Sequence, residues 1–320
     1  MTTGLRTASS ISCVMPAYNE AGNLNHVVPH VLSALKQLCG SVELIIINDG
    51  SKDTTEQVLA ELCRTHPELI ALNLSRNFGK EAALTAGLDT ATGDVTVIMD
   101  ADGQHPSDLL PLMLQKWGQG IDVVFAVRKT RHDQSKLQIA FTSLFYRLIN
   151  WRTRVQIPAN AGDFRLMDSA VVKALRQLPE RNRFMKGLYA WVGHPSIAID
   201  YEPLARADGK SNFGFRGAMS LAMTGLLAFS VAPLRLVSYF GLLLSMAALG
   251  YGAWVVFDYF WFGADTPGYA TIVVGMMFLS GIQLLSIGIL AEYVGRIYEE
   301  VKQRPTYLLH SKTGSGLNQP

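Results

Sequence analysis

Two aspartates one residue apart end an apolar run in "VIMDADGQHP", residues 97–106. Asp100 and Asp102 are followed by Gly103 and by the amide of Gln104. Carboxylate and amide oxygens are hard ligands that hold Mg²⁺ or Mn²⁺, and a cation held there can neutralise a diphosphate. An isolated pair of this kind is more often an acidic turn that merely ends a strand, so its meaning depends on the rest of the chain.

Other polar clusters follow apolar, β-rich runs in the same way. The predicted strands, separated by segments of helical periodicity, are the runs 11–15, 42–47, 70–74, 95–99 and 122–127. The clusters that follow them are "PAYNE", "NDGSKD", "SRNFGK", "DADGQ" and Arg128. This alternation predicts an α/β fold with a mostly parallel sheet, in which ligands bind beyond the carboxyl ends of the strands. The sequence therefore predicts one binding site at one edge of the sheet.

Several other classes of site do not fit the chain. A GxGxxG after the first predicted strand and a GxxxxGK[ST] anywhere are both absent from the sequence, which argues against a dinucleotide fingerprint and a phosphate loop. A formal net charge of +2 and a hydrophobic content of 49% argue against a disordered chain and against a general nucleic-acid binder. Cys13, Cys39 and Cys63 lie far apart without metal-ligand spacing, and we interpret them as reduced core residues.

The last third of the chain has a different composition. From Leu236 to Tyr293 the acidic and basic residues are only Asp258, Asp265 and Glu292. Two apolar stretches, 236–260 and 269–290, each reach the length of about 20 residues that crosses a bilayer. We expect two transmembrane helices here, rather than two helices buried in a large soluble core.

Basic residues predict the orientation of these spans. Arg235 precedes the first span and Arg296, Lys302 and Arg304 follow the second, whereas the connecting "WFGADTPG" has none. The positive-inside rule therefore predicts that both termini are cytoplasmic. The N-terminal stretch lacks an apolar core long enough for a signal peptide, so the first two thirds are expected in the cytosol. Segment 213–230 has apolar residues at helical spacing and favours an interfacial helix, although a core helix stays open.

Seven motifs in order resemble a known family. They are "VMPAYNE", "INDGSKDTT", "RNFGKEAALTAGLDTATGD", "DADGQHP", "AGDFRLMD", "LPERNRFMKGLYAWVG" and "RADGKSNF". Followed by two apolar stretches, they resemble the family-2 glycosyltransferases that load a sugar onto a polyprenyl phosphate, the group of the bactoprenol glucosyltransferases and dolichol-phosphate mannose synthase. The resemblance implies a GT-A (Rossmann-like) nucleotide-sugar-binding domain, a nucleotide-sugar donor, Mg²⁺ or Mn²⁺, and inversion at the anomeric carbon.

The resemblance also implies roles for single residues. The nucleotide-sugar is expected to bind at Pro16, Tyr18, Glu20, Asp49, Lys80 and Asp100. The metal is expected at Asp102, Asp100 and Gln104, and the catalytic residues are expected to be Asp100, Asp102 and Asp163. The chain departs from the family pattern at Asn48, where Asp is usual, and at Gly103, where Leu is usual.

The acceptor site follows partly from chemistry. A lipid monophosphate is already anionic and attacks without a general base, but it needs cationic groups near the donor diphosphate. Arg128 ends the fifth predicted strand, and Arg206, Lys210 and Ser211 lie just before the membrane-directed segment. Lys136 is the nearest counterpart of a basic residue that the mannose synthases carry after the fifth strand. We interpret His105 as an exposed loop imidazole rather than a donor contact.

Together these expectations describe an integral membrane enzyme. The expected domains are a cytoplasmic GT-A domain at 1–212, an interfacial helix or linker at 213–235, a two-helix membrane domain at 236–295 and a cytoplasmic tail at 296–320. The expected reaction moves one sugar, with glucose preferred, from a UDP-sugar to undecaprenyl phosphate at the cytoplasmic face of a bacterial inner membrane. The expected partners are these two substrates, the bilayer and a second copy of the chain, without nucleic acid.

Three alternatives remain at this point. A polyprenyl-phosphate mannosyl- or amino-arabinosyl-transferase fits the same motifs. A catalytically inactive membrane scaffold could keep the fold, although the joint presence of Asp100, Asp102, Gln104, Arg128 and Arg206 argues against it. A processive polysaccharide synthase is disfavoured, because its QxxRW motif is absent from the sequence and two spans are few for a channel.

Overall fold

A computed structural model describes residues 6–128, 161–202, 232–262 and 268–317. The five strands predicted from the sequence are all present, with ends shifted by no more than two residues. They are β1 (Ser10–Ala17), β2 (Ser41–Asn48), β3 (Leu69–Leu74), β4 (Val95–Ile98) and β5 (Val123–Arg128). Three further strands were not predicted, namely β6 (Ala161–Asp168), β7 (Ser196–Tyr201) and β8 (Leu309–Thr313).

Eight α-helices connect or follow these strands in the described ranges. The first four are α1 (Ala21–Leu38), α2 (Thr55–Thr65), α3 (Lys80–Thr90) and α4 (Leu110–Gly118), the last preceded by a 3₁₀ turn at Ser107–Leu109. The other four are α5 (Ser169–Gln177), α6 (Met185–Trp191), α7 (Ala232–Phe262) and α8 (Tyr269–Val301).

The eight strands form one sheet in the order β7-β5-β6-β4-β1-β2-β3-β8. Strand β1 runs parallel to β2 and β4, β2 runs parallel to β3, and β5 runs parallel to β7. Strand β6 is antiparallel to β4 and β5, and β8 is antiparallel to β3. The predicted mostly parallel sheet is therefore confirmed, and it has the Rossmann-like layout of a GT-A domain.

Helices cover both faces of the central strands, which explains their nearly continuous apolar sequence. Within β2, Leu44 and Ile46 pack into one core with α1, α2 and α4, while Ile45 and Ile47 pack into a second core with α3, α5 and α6. All four of these side chains are fully buried. Period-2 alternation places successive residues on opposite faces, so each strand supplies both cores at once.

Helices α7 and α8 contain 31 and 33 residues and carry exposed apolar side chains. The exposed fraction reaches 80% for Phe260 and 69% for Leu284. In the part of the chain that the structure describes, one helical segment, Phe278–Val301, is long and apolar enough to cross a membrane by length and composition. The segment 213–230, for which an interfacial helix was expected, lies outside the described residues.

Candidate active site

The carboxyl ends of β1, β2, β3 and β4 meet at one edge of the sheet, because these strands are parallel neighbours. Strand β5 points the same way, so Arg128 at its end lies at this edge too. The antiparallel strand β6 brings its amino end there, with Arg165 paired to Ile98. The predicted clustering of polar loops at one edge is thus present in the fold.

Three predicted site residues form an ion-pair cluster at this edge. The Lys80 Nζ lies 2.6 Å from Asp100 Oδ1 and 2.7 Å from Asp163 Oδ2. Lys80 begins α3, Asp100 follows β4 and Asp163 belongs to β6, so three elements must be in place to form the cluster. Burial by itself would lower the pKa of Lys80, but the charges of Asp163 and Asp100 outweigh it and raise that pKa above its ordinary value.

The charge of Lys80 also acts on Asp163. Burial disfavours the Asp163 carboxylate, but the cations of Lys80 and then Lys186 outweigh this effect and hold the pKa of Asp163 well below its ordinary value. Asp163 is therefore ionised at every physiological pH. The cluster keeps a fixed ammonium group between two carboxylates at the edge where the sequence predicts the binding site.

A second layer of charged groups, which sequence reasoning missed, lies against this cluster. The carboxylate of Glu81 accepts the Met185 backbone N–H at 3.1 Å, which ties α3 to α6. Burial, with a smaller contribution from the Asp163 charge, raises the pKa of Glu81 to about 7. Arg165 is 3% exposed, donates to the Gly162 carbonyl at 2.8 Å, and lies 3.5 Å from the centre of the Tyr189 ring.

A sequence signal for this layer existed. Arg165 stands between Phe164 and Leu166, inside a mostly apolar run that forms the buried part of strand β6. A charged residue on such a strand must be paired, because an uncompensated buried charge is strongly unfavourable. The motif that contains it was interpreted only through Asp163.

The acidic turn after β4 has a defined geometry. Asp102 Oδ1 accepts the backbone N–H of Gln104 at 3.1 Å. Gln104 Oε1 in turn accepts from Arg128 Nη2 at 3.5 Å, and Arg128 Nε donates to the Tyr201 hydroxyl at 3.2 Å. Gly103 adopts a φ of 70°, which glycine adopts without strain. The turn therefore joins a predicted metal ligand to a predicted acceptor-binding residue.

The interpretation of His105 as an exposed imidazole is wrong, because its side chain is buried with 7% exposure. Its Nδ1 accepts the backbone N–H of Asp100 at 3.0 Å. Its ring stacks on Phe164 at a centroid distance of 4.8 Å and meets the edge of Tyr201 at 6.1 Å. Burial lowers the pKa of His105, so the neutral ring accepts this hydrogen bond. The imidazole thus fixes the first residue of the acidic turn.

Asp49 holds a loop. Its two carboxylate oxygens accept the backbone N–H groups of Phe78 at 2.7 Å and Gly79 at 2.9 Å, and it is 4% exposed. Burial raises the pKa of Asp49, and the two N–H groups oppose that shift. The loop that leads into α3, and hence to Lys80, is therefore positioned by the turn after β2. The donor-binding role of Asp49 stays a prediction.

The loops after β1 and β2 are linked as well. Ser51 Oγ accepts the backbone N–H of Asn19 at 2.9 Å, and Asn19 Oδ1 accepts that of Lys52 at 2.8 Å. Asn19 adopts a φ of 56°, a conformation that Asn tolerates better than most residues. The remaining predicted donor-binding residues in this region, all half-buried, are Pro16, Tyr18 and Glu20.

The other predicted acceptor-binding residues are four basic or hydroxyl side chains. Lys136, Arg206, Lys210 and Ser211 lie outside the described residues. Arg128 is the predicted acceptor-binding residue that the structure does bring to the acidic turn, through Gln104.

The donor atoms of the acidic turn fit a divalent cation whose coordination is completed by oxygens of the substrate. Within the described ranges, groups of three or more His, Cys, Asp or Glu side chains that could hold a metal are absent. Asp102 and Gln104 nonetheless supply a carboxylate and an amide oxygen from one turn, whereas Asp100 is engaged by Lys80. Mg²⁺ commonly binds through one or two carboxylates together with substrate phosphates and water.

Comparisons with known proteins show the family of the chain. The family model "Glycosyl transferase family 2" matches residues 12–176, and the model "GtrB C-terminal hairpin" matches residues 232–297, which α7 and most of α8 occupy. Both matches correspond to parts of the chain in which the sequence motifs and apolar stretches had been recognised.

Relatives cover nearly the whole chain. A bactoprenol glucosyl transferase of Shigella phage SfX is 41% identical over 94% of this chain and 99% of its own length. An uncharacterized glycosyltransferase of Synechocystis sp. is 41% identical over 95% of this chain and 96% of its own length. A prophage bactoprenol glucosyl transferase homolog of Escherichia coli is 40% identical over 93% of this chain and 98% of its own length.

Solved structures are similar at a greater distance. A mannosyltransferase from Pyrobaculum calidifontis in complex with GDP-Man and Mn²⁺ is 14% identical, with a TM-score of 0.43, over 92% of this chain and 88% of that chain. The resemblance that the motifs carry is confirmed by the family models and the full-length relatives. The chain belongs to glycosyltransferase family 2 and is a glycosyltransferase with a GtrB-type C-terminal hairpin.

Proposed function

We propose that this enzyme transfers one glucosyl group from UDP-glucose to undecaprenyl phosphate, or a similar polyprenyl phosphate, with inversion at the anomeric carbon. The observation that carries the proposal is the 41% identity to a bactoprenol glucosyl transferase over 94% of this chain and 99% of that protein. A match of that extent includes both the catalytic domain and the hairpin. A match to the catalytic domain alone would have supported sugar transfer, but it would not have supported a lipid acceptor.

The donor would bind at the edge formed by the loops after β1, β2 and β3. Tyr18 and Glu20 follow β1, and Asp49 holds the loop at Phe78 and Gly79 in place. We propose that Pro16, Tyr18, Glu20 and Asp49 surround the nucleotide, and that Lys80 lies beside the diphosphate. Preorganised cationic groups aimed at developing negative charge are an effective means of catalysis.

We propose that Asp102 is the direct metal ligand and that Gln104 assists it, with Asp100 acting mainly through its ion pair with Lys80. The contrast between the two aspartates supports this division, because the Asp100 carboxylate is 2.6 Å from Lys80. A bound Mg²⁺ or Mn²⁺ would offset negative charge on the diphosphate as the sugar leaves. Asp163 would keep the Lys80 ammonium in position throughout.

The acceptor phosphate needs cations rather than a base. A lipid monophosphate is already largely anionic at neutral pH and can attack the anomeric carbon directly. Arg128 contacts the acidic turn by donating a hydrogen bond to Gln104, and this contact supports a role in bringing acceptor and donor together. We propose that Lys136, Arg206, Lys210 and Ser211 complete the acceptor site.

We propose that α7 and α8 form a two-span membrane hairpin, with the catalytic domain and both termini in the cytoplasm. At about 1.5 Å per residue, helices of 31 and 33 residues exceed the roughly 30 Å of a bilayer core. Exposed apolar side chains on both helices, among them Phe260 and Leu284, support burial in lipid. The domain limits given from the sequence remain our proposal.

The activity is tested with purified full-length protein, undecaprenyl phosphate and a panel of radiolabelled nucleotide sugars that includes UDP-glucose and GDP-mannose. We expect labelled lipid from UDP-glucose alone, in a reaction that excess EDTA stops and added Mn²⁺ restores. Asp102→Asn is expected to lower kcat at least about 100-fold, because it removes the charged ligand. Asp108→Asn changes an exposed carboxylate six residues further on and is expected to be neutral.

Each part of the proposal has its own contrary outcome. Labelled lipid from GDP-mannose alone would replace the glucosyltransferase by the mannosyltransferase alternative. Full activity in EDTA would remove the metal from the proposal. Folded protein that makes no lipid-linked sugar from any donor would favour the inactive scaffold.

A further inference from the structure

Strand β8 comes from beyond the second long helix and completes the edge of the catalytic sheet. It pairs antiparallel with β3, with Ala71 opposite Thr313, Leu72 opposite Lys312 and Asn73 opposite Ser311. The sequence predicted only a tail here, because "LHSKT" has no apolar periodicity. Residues Leu309–Thr313 are therefore a structural part of the sheet that carries the proposed donor loops.

A line of side-chain hydrogen bonds runs inward from β8. Ser311 Oγ accepts from Asn73 Nδ2 at 2.9 Å, and Asn73 Oδ1 accepts from Asn48 Nδ2 at 2.9 Å. Asn48 Oδ1 then accepts the backbone N–H of Ser51 at 3.0 Å. Asn48 and Asn73 are 3% and 5% exposed, so water cannot easily replace a lost partner.

This line ends in the loops that we assign to the nucleotide. The backbone N–H of Ser51 donates to Asn48, and the Ser51 hydroxyl accepts the backbone N–H of Asn19 in the loop after β1. Asp49, next to Asn48, holds the backbone N–H groups of Phe78 and Gly79 in the loop after β3. The Asn48 amide thus holds the loop after β2, and that loop contacts the loops after β1 and β3 through Ser51 and Asp49. Asn48 is itself linked to Ser311 through Asn73.

Other contacts seat the tail in one register. The Tyr307 hydroxyl donates to Asp89 Oδ2 at 3.1 Å, and the Leu317 backbone N–H donates to Glu43 Oε2 at 3.4 Å. Gly314 has a φ of 89°, and a Cβ there would overlap the Leu69 carbonyl oxygen. The tail lies so close to the backbone of β3 that only glycine fits at this point.

We propose that β8 is part of the donor-binding site, with Ser311 acting through Asn73 and Asn48 as a positioning residue for the loop 48–51. This inference rests on the proposed function, because the loop is assigned to the nucleotide. A positioning residue of this kind changes donor affinity while leaving the chemical step intact once donor saturates. A merely structural residue would instead change stability.

The test compares Ser311→Ala, which removes the hydroxyl acceptor, with Ser311→Thr, which keeps it. The matched control is Lys312→Ala, which changes the next, exposed residue of the same strand. Each full-length variant is measured for UDP affinity by calorimetry with Mn²⁺ present, for KM and kcat with UDP-glucose, and for Tm. Hydrogen exchange of the peptide containing residues 48–52 is followed in parallel.

We expect Ser311→Ala to weaken UDP binding and raise KM about fivefold or more, the effect of one lost hydrogen bond to a buried amide. Its kcat at saturating donor is expected to stay within about twofold of the wild type. Exchange at 48–52 should become faster in this variant alone. Ser311→Thr should restore wild-type binding, and Lys312→Ala should match the wild type throughout.

Two results separate this inference from the proposed function. Wild-type protein that is folded but binds no UDP overturns the proposed donor and the inference with it. Wild-type protein that binds UDP with the same affinity as Ser311→Ala overturns the inference alone. A loss of Tm and kcat in Ser311→Ala without a change in KM also overturns it, because β8 then acts on stability.

Discussion

Lys80 lets the carboxylates of Asp100 and Asp163 lie close together at the edge of the sheet where we propose that the donor binds. Asp100 and Asp163 both contact its ammonium group, at 2.6 and 2.7 Å. Without that group the two carboxylates would repel each other and a diphosphate. Because the cluster is only partly exposed, these interactions are less screened than those of a surface ion pair.

The raised pKa of Glu81 predicts that the stability of the protein depends on pH. Burial first, and then the Asp163 charge, raise the pKa of Glu81 from 4.5 to about 7. Between these values the folded protein holds a proton that the unfolded chain has released, so the free energy of unfolding falls as pH rises from about 4.5 to about 7. The decrease is on the order of 1–3 kcal/mol and ends above about pH 7.

Glu81→Gln is expected to remove this decrease, because glutamine cannot ionise. Thermal unfolding of wild type and variant in detergent, at pH 5 to 8, should show the wild-type Tm falling relative to the variant by several degrees. Glu56→Gln, at an exposed position in α2, is the matched control and should follow the wild type. Parallel curves for wild type and Glu81→Gln would show that Glu81 does not hold a proton in the folded protein.

Residue types were easier to predict than their environments. The motifs named Lys80, Asp100 and Asp163, and the fold brings all three into contact. His105 was misjudged because its burial comes from Phe164 and Tyr201, which lie on strands that the sequence pattern did not reveal. Local sequence shows that a side chain is polar, but only the packed fold shows which groups surround it.

At the level of loops, the turn after β2 lies directly against the loop after β3. Gly50 has a φ of 61°, and a Cβ there would overlap the backbone of Arg76 and Asn77. Asp49, on the same turn, holds the N–H groups of Phe78 and Gly79. The close approach and the hydrogen bonds together fix the position of the two loops relative to each other.

Gly50→Ala is expected to push these loops apart and to strain the turn at a positive φ. We expect a loss of UDP affinity of at least about tenfold, equal to about 1.4 kcal/mol, and a stability loss of about 1–3 kcal/mol. Calorimetry and thermal unfolding measure the two effects. Gly40→Ala introduces a methyl group where nothing lies within 4 Å and serves as the control. Unchanged UDP affinity in Gly50→Ala would separate this turn from the donor site.

The sequence pattern predicted strands β1 to β5, whose own residues are mostly apolar, but it did not predict β7 and β8, whose pairing depends on distant partners. Strands β1 to β5 are buried for most of their length, so their composition alone marks them. Strand β7 alternates exposed and half-buried residues, and β8 is almost wholly exposed. Strand propensity depends on cross-strand neighbours, and the neighbours of these two strands are distant in sequence.

At the scale of the whole molecule, the end of α8 docks on the catalytic domain. The carboxylate of Glu300 accepts the backbone N–H of Arg181 at 2.9 Å, and Glu299 accepts from the Asn182 side chain at 3.5 Å. Together with the pairing of β8, these contacts attach the C-terminal end of the hairpin to the catalytic domain. A change in the tilt of α8 would therefore reach the catalytic sheet directly.

The proposed topology predicts where the ends of the chain lie. A reporter fused after Pro320 should behave as cytoplasmic, and Ala264→Cys, between α7 and α8 in the sequence and outside the described residues, should react with a membrane-impermeant thiol reagent from the periplasm. Ser315→Cys, exposed after β8, is the opposite control and should react only after the cells are opened. An exported reporter, or labelling of both cysteines from the same side, would contradict the two-span arrangement.

The position of β8 also has a consequence for how the protein is made. Ser311 is 238 residues further along the chain than its partner Asn73. At a synthesis rate of about 5–20 residues per second, β3 keeps an unpaired edge for on the order of 10–50 s, while both long helices are still to be made. An open strand edge is a template for pairing with other chains. A chain truncated within α8 would thus be prone to aggregate, although its proposed donor loops had all been synthesised.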